Sequence, residues 1–134
     1  GVEHERLEAA DARSRAQQPE LLRLADADAA AYRAVLATRR LADRDPAGSR
    51  AWQEATEVPL RVAEICWLLR DVIVGLGDAH WPDIAADFEI GVSFLETSMR
   101  ACLLAAESNL QAWGDCAEAR ALRSRVDAVR EGET

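Results

Sequence analysis

The chain has 134 residues, 49% of them hydrophobic and 30% charged, with a formal net charge of −8 from 24 acidic against 16 basic residues. No run approaches the roughly 18 uninterrupted apolar residues of a membrane span, so one soluble globular domain with no membrane association is expected. All the basic residues are Arg, which removes Schiff-base chemistry and a P-loop lysine, and an acidic chain without a concentrated basic face argues against nucleic acid.

In chain order, residues from about Val2 to Gln17 read as a charged helix. Pro19 suits the first turn of a second helix reaching about Leu41. Along it Leu21, Leu24, Ala25, Asp28, Tyr32, Val35 and Leu36 recur at helical spacing, which predicts a buried stripe. The segment ADRDPAGS is the clearest loop. Ser49 is the expected cap of a third helix running to Leu76, with a kink at Pro59 and Gly77 as its stop. The stretch DAHWP leads into a fourth helix from about Pro82 to Trp113. Its stripe of Ile84, Phe88, Gly91, Leu95, Ser98, Cys102 and Ala105 is rich in small residues and predicts close approach of another helix. Asp115, with Glu118 three residues on, reads as the capping box of a last helix to about Arg130. No segment alternates as a strand would, so the expected fold is all-α, an antiparallel bundle of about five helices.

Cys66, Cys102 and Cys116 are widely spaced in apolar helical contexts and read as reduced core residues. His4 and His80 are too few for a zinc signature, so no metal is expected. The N-terminus GVEHERLEAADARSR is charged and helical rather than a signal peptide, which fits a reducing cytoplasm.

Polar residues on stripes expected to be buried are the candidates for chemistry. Asp28 lies one turn before Tyr32, so their side chains are neighbours. Asp87 and Asn109 share a face of the fourth helix. A carboxylate in an apolar interior needs a partner or a water-filled pocket. Asp87 and Asn109 are 22 residues apart, about 33 Å along a straight helix, so they cannot grip one small group and Asn109 reads as structural.

The phrases ADADAAAY from Ala25 to Tyr32, EATEVPLRVAEIC from Glu54 to Cys66, AADFEIG from Ala85 to Gly91 and NLQAWGD from Asn109 to Asp115 together resemble the cyclodeaminase/cyclohydrolase family. That family comprises the helical domain of formiminotransferase-cyclodeaminase and the methenyltetrahydrofolate cyclohydrolases. The resemblance rests on an Asp four positions before an aromatic residue (Asp28, Tyr32) and on a Val-Pro-Leu segment (Val58, Pro59, Leu60). It also rests on an Asp, an Asn-Leu pair and a further Asp at family spacing (Asp87, Asn109, Leu110, Asp115).

The resemblance implies a helical homodimer that handles a one-carbon unit on tetrahydrofolate, a small-molecule substrate, without a tightly bound cofactor. Members hydrolyse the methenyl bridge or close a formimino group with loss of ammonia. Adding water to an electron-poor carbon, or expelling an amine from it, needs a general acid/base. Asp28 and Asp87 are the acid/base candidates, with Tyr32 to orient one of them and His80 as a proton carrier. Trp81, Asp83, Arg50 and Arg61 are the substrate-binding candidates, and Arg39 and Arg40 are further options for a glutamate tail. The family begins with a Pro-Gly-Gly-Gly-Ser type turn and a long apolar helix ahead of the position of Gly1. The domain is therefore expected to lack that helix or to receive it from a separate chain. Two other classes stay open: the same fold acting on a non-folate substrate by cyclisation, elimination or hydration, and a non-catalytic helical dimerisation module.

Overall fold

A computed structural model describes residues 1–41, 45–77 and 82–132. It contains four α-helices, α1 (Val2–Thr38), α2 (Pro46–Val74), α3 (Ala85–Trp113) and α4 (Ala117–Glu131), with a single 3-10 turn at Pro82–Ile84 before α3. The described residues hold no strand, and no helix is long and apolar enough to cross a membrane.

The chain thus has four helices rather than five, because the two expected at the N-terminus are one. α1 runs unbroken through Pro19 for 37 residues, about 55 Å. Pro19 lacks the N–H that would bond the Arg15 carbonyl, but both residues are exposed, so that carbonyl is open to solvent. Two helix starts also differ from expectation. α2 is capped by Asp45, whose Oδ1 accepts from the Ala47 N–H at 2.8 Å with Pro46 in the first turn, rather than by Ser49. α4 is capped by Cys116, whose Sγ accepts from the Ala119 N–H at 3.4 Å, while Asp115 is spent on Arg120 at 3.0 Å. α2 ends at Val74 and closes through Gly77, which takes a left-handed φ of 56° and so requires glycine.

α2 is the central element: nine of its residues are buried, against three in the longer α1, so α1 is a flanking helix resting on α2 alone. Arg6 donates to the Gly75 carbonyl at 2.6 Å, which makes α1 antiparallel to α2. Arg70 meets Glu96 at 3.0 Å and the Trp113 Nε1 donates to the Ser49 Oγ at 3.3 Å, so α2 and α3 are antiparallel and α1 is parallel to α3. α4 closes the other side. Its Leu122, Val126 and Val129 join Leu60, Ala63, Leu103, Ala106 and Leu110 in the main core. Arg125 ties α4 to α2 through Glu57 at 2.8 Å and Glu64 at 2.5 Å. Burial works against the Arg125 charge, but hydrogen bonds to the two carboxylates outweigh it and raise the guanidinium pKa. A second cluster of Leu24, Ile65 and Leu69 joins α1 to α2, with Leu95 of α3 against it.

α2 continues across Pro59, which is buried. Proline has no N–H, so the carbonyl four residues back, that of Ala55, loses its helical partner. The Asn109 Nδ2 of α3 donates to that carbonyl at 2.8 Å. The Val-Pro-Leu segment and the Asn-Leu pair are therefore two halves of one hydrogen bond, and the structural reading of Asn109 holds. Asn109→Ala is expected to cost about 1–3 kcal/mol, because it strands a carbonyl at a helix interface. In a Pro59→Ala background the restored N–H takes over that carbonyl, so the same substitution costs much less. Urea denaturation of the four proteins in this cycle measures the difference; equal costs in both backgrounds would refute the coupling.

Candidate functional site

The buried face of α1 carries Leu24 and Ala31, not the carboxylate. Asp28 and Tyr32, expected on a buried stripe, lie on an exposed flank, with Tyr32 63% exposed. α1 meets one partner only, so a stripe wide enough for two leaves half of itself uncovered. The small-residue stripe of α3 is split: Leu95 and Cys102 pack against the buried clusters, while its other edge is open. Asp87, Phe94, Ser98 and Ala105 are exposed, and a Cβ added at Gly91 would touch nothing. Among the described residues no helix covers that open edge.

α1 and α3 both pack on α2 without meeting backbone to backbone, and three shared neighbourhoods relate their levels. Leu21 and Leu95 pack on one buried cluster, the Asp28 charge acts on Cys102, and Thr38 and Arg39 line one cleft with Ala112 and Trp113. In each pair the partners are 74 residues apart in the chain. Asp87 is thus level with Arg13 of α1, 15 residues below Asp28, about 22 Å along the axis. The two acid/base candidates are held apart within one chain. Around α3, Asp87 and Cys102 differ by only about 60°, so Asp87 lies on the side facing the Asp28 flank.

Beneath Asp28, burial pushes the Cys66 thiol up to about 11, and the neighbouring Cys102 adds to the effect. Burial also raises the Cys102 thiol, helped by the Asp28 charge. Both stay protonated near neutral pH and serve as packing rather than as nucleophiles. No group of three or more His, Cys, Asp or Glu among the described residues is placed to hold a metal ion.

The remaining candidates scatter. Arg50 lines a hollow of about 340 Å³ with Ala34, Thr38 and Glu54, and Arg61 lines one of about 270 Å³ with Glu20, Arg23 and Glu57. Arg61 and Cys66 are five residues apart, about 140° around α2, so Arg61 faces away from the Asp28 side. Neither arginine is brought to the carboxylates. Asp83 is exposed in the 3-10 turn, one turn before Asp87. His80 and Trp81 lie outside the described residues.

The residue missed from the sequence is Phe94. It is 69% exposed, between the levels of Asp28 and Asp87. Seven residues beyond Asp87, it falls within about 20° of the same line on α3. A large apolar residue on a stripe of small ones was the available signal.

A family model described as formiminotransferase-cyclodeaminase matches residues 2–128. No curated protein and no solved structure matches the chain.

Proposed function

The chain belongs to the formiminotransferase-cyclodeaminase family, and from that membership we propose that it acts on a one-carbon unit carried by tetrahydrofolate, as a homodimer whose two subunits each complete the other's site. The reaction is hydrolysis of the methenyl bridge, or closure of a formimino group with release of ammonia. The observation that carries the reading is the placement of two exposed carboxylates on facing flanks, about 22 Å apart along the axis, with exposed Phe94 midway.

A two-fold axis at the level of Phe94 brings Asp28 of one subunit to Asp87 of the other, and it does so twice. It also covers the open Gly91, Ser98 and Ala105 stripe and the exposed Phe94 and Tyr32, apolar surface that otherwise costs free energy in water. At each composite site one carboxylate takes a proton from water as the water oxygen bonds to the cationic methenyl carbon. The carboxyl so formed passes that proton to the ring nitrogen as the carbon–nitrogen bond breaks, and the other carboxylate takes the proton of the new hydroxyl and releases it to solvent, leaving a formyl group. Two carboxylates near a cationic carbon also stabilise its charge. Tyr32, one turn from Asp28, is placed to hold that carboxylate's orientation.

The test is addition of the purified protein to 5,10-methenyltetrahydrofolate while its absorbance is followed. Loss of the chromophore in proportion to protein concentration is expected. A protein that is dimeric and folded yet leaves the chromophore decay at its buffer rate, and that releases no ammonia from formiminotetrahydrofolate, would overturn the folate reading.

A further inference from the structure

At one end of the bundle the C-termini of α1 and α3, the first turns of α2 and the turn into α4 enclose a cleft of about 640 Å³. That volume is within the range of about 300–1,000 Å³ typical of small-molecule sites. Two of its walls are Trp52 and Trp113, brought together from α2 and α3, and both rings stay partly exposed. The Trp113 Nε1 donates to the Ser49 Oγ at 3.3 Å, which holds that indole in place and leaves its ring surface for contact. Thr38 turns its hydroxyl back onto the Ala34 carbonyl at 2.9 Å, so it adds no competing donor.

The charges in the cleft are unequal. Asp115 is matched by Arg120 at 3.0 Å. Arg39 lines the cleft, is exposed and makes no ion pair among the described residues. Two indoles, one of them held by a hydrogen bond, beside a guanidinium without an ion pair among the described residues suit a flat ring that carries one negative charge: the rings take the apolar body and the planar fork takes a carboxylate. Arg39 is 11 residues beyond Asp28 on α1, about 16 Å away, so the cleft is separate from the carboxylate flanks.

We propose that this cleft is a second binding site, for a planar aromatic carboxylate, with the ring against Trp52 and Trp113 and the carboxylate on Arg39. The site does not depend on the folate reading, and a protein without folate turnover still binds such a ligand.

Naphthalene-2-carboxylate titrated into the full chain tests this by the indole N–H signals in a proton–nitrogen correlation spectrum, assigned with Trp52→Phe and Trp113→Phe. Saturable shifts of the Trp52 and Trp113 signals are expected, with the signal of Trp67, which packs against the main core, unmoved. Arg39→Gln weakens the carboxylate about tenfold, the scale of a hydrogen bond to a charged group. The same variant leaves the affinity of the uncharged naphthalene-2-carboxamide unchanged. Arg39 is an exposed residue at the end of α1, so the variant keeps the fold, and its circular dichroism spectrum checks this. Absence of saturable shifts at both indoles overturns the proposal, as does equal carboxylate affinity in Arg39→Gln and the parent chain.

Discussion

Asp28→Asn and Asp87→Asn each lower turnover of methenyltetrahydrofolate by about 10²–10⁴-fold, the usual contribution of a positioned acid or base. Both variants keep their stability, because both side chains are exposed in the single chain and make no hydrogen bond among the described residues. Co-expression of the two inactive variants then recovers about one quarter of the parent rate. Half of the dimers formed at random are mixed, and a mixed dimer has one of its two composite sites intact. A site contained within one chain predicts no recovery at all, since every subunit then carries a defect. Phe94→Glu gives an independent readout: a charge at the two-fold axis meets its own copy, so the dimer dissociates and turnover falls with it, while the monomer's helicity persists. Sedimentation and activity measured on the same sample separate this from unfolding. Mixed dimers that form without any recovery would refute the shared site and leave the family assignment untouched.

Leu60→Ala is the largest expected loss of stability, about 2–5 kcal/mol. Leu60 is fully buried in the main core, where α2 meets α3 and α4. Its neighbours Ala63, Ala106 and Ala119 are already small, so they cannot move in to fill the space. One turn before it on α2, Thr56 is also fully buried, with its hydroxyl committed to the Trp52 carbonyl at 2.8 Å, which keeps that turn of α2 from yielding. Thermal or urea unfolding measures the loss; a cost below 1 kcal/mol would mean that the three-helix junction relaxes. By contrast Phe94→Ala, on the open face, leaves the monomer's stability within about 0.5 kcal/mol of the parent, as expected for an exposed position.

Much of the helical layout was legible because it depends on local chemistry. The span of α3 to Trp113, the end of α2 near Gly77 and the structural role of Asn109 follow from periodicity, glycine and the arithmetic of helical rise. Pro19 misled because a proline's cost depends on whether its freed carbonyl is solvated, and that depends on which face of α1 is exposed. The caps misled for a related reason. Ser49 and Asp115 are good capping residues by type, but Asp45 sits beside a proline that starts the helix four residues earlier, and Asp115 has Arg120 as a competing partner. A stripe of apolar and small residues says that a face is meant for contact, without saying whether the partner lies in the same chain.

The sequence by itself determined an all-α chain, one without lysine, and the family to which its phrases belong, because each depends on residue types and their spacing. Only the tertiary structure decided how far apart the chemistry stands. The register between α1 and α3 is set by packing of Leu21, Leu24 and Leu95 around α2, across contacts distant in the chain. That register places Asp28 over Cys102 and leaves Asp87 about 22 Å below it. It also gathers Trp52, Trp113 and Arg39 at one end. No local pattern encodes these distances, because side-chain packing between helices, not the order of residues along one helix, sets their offset.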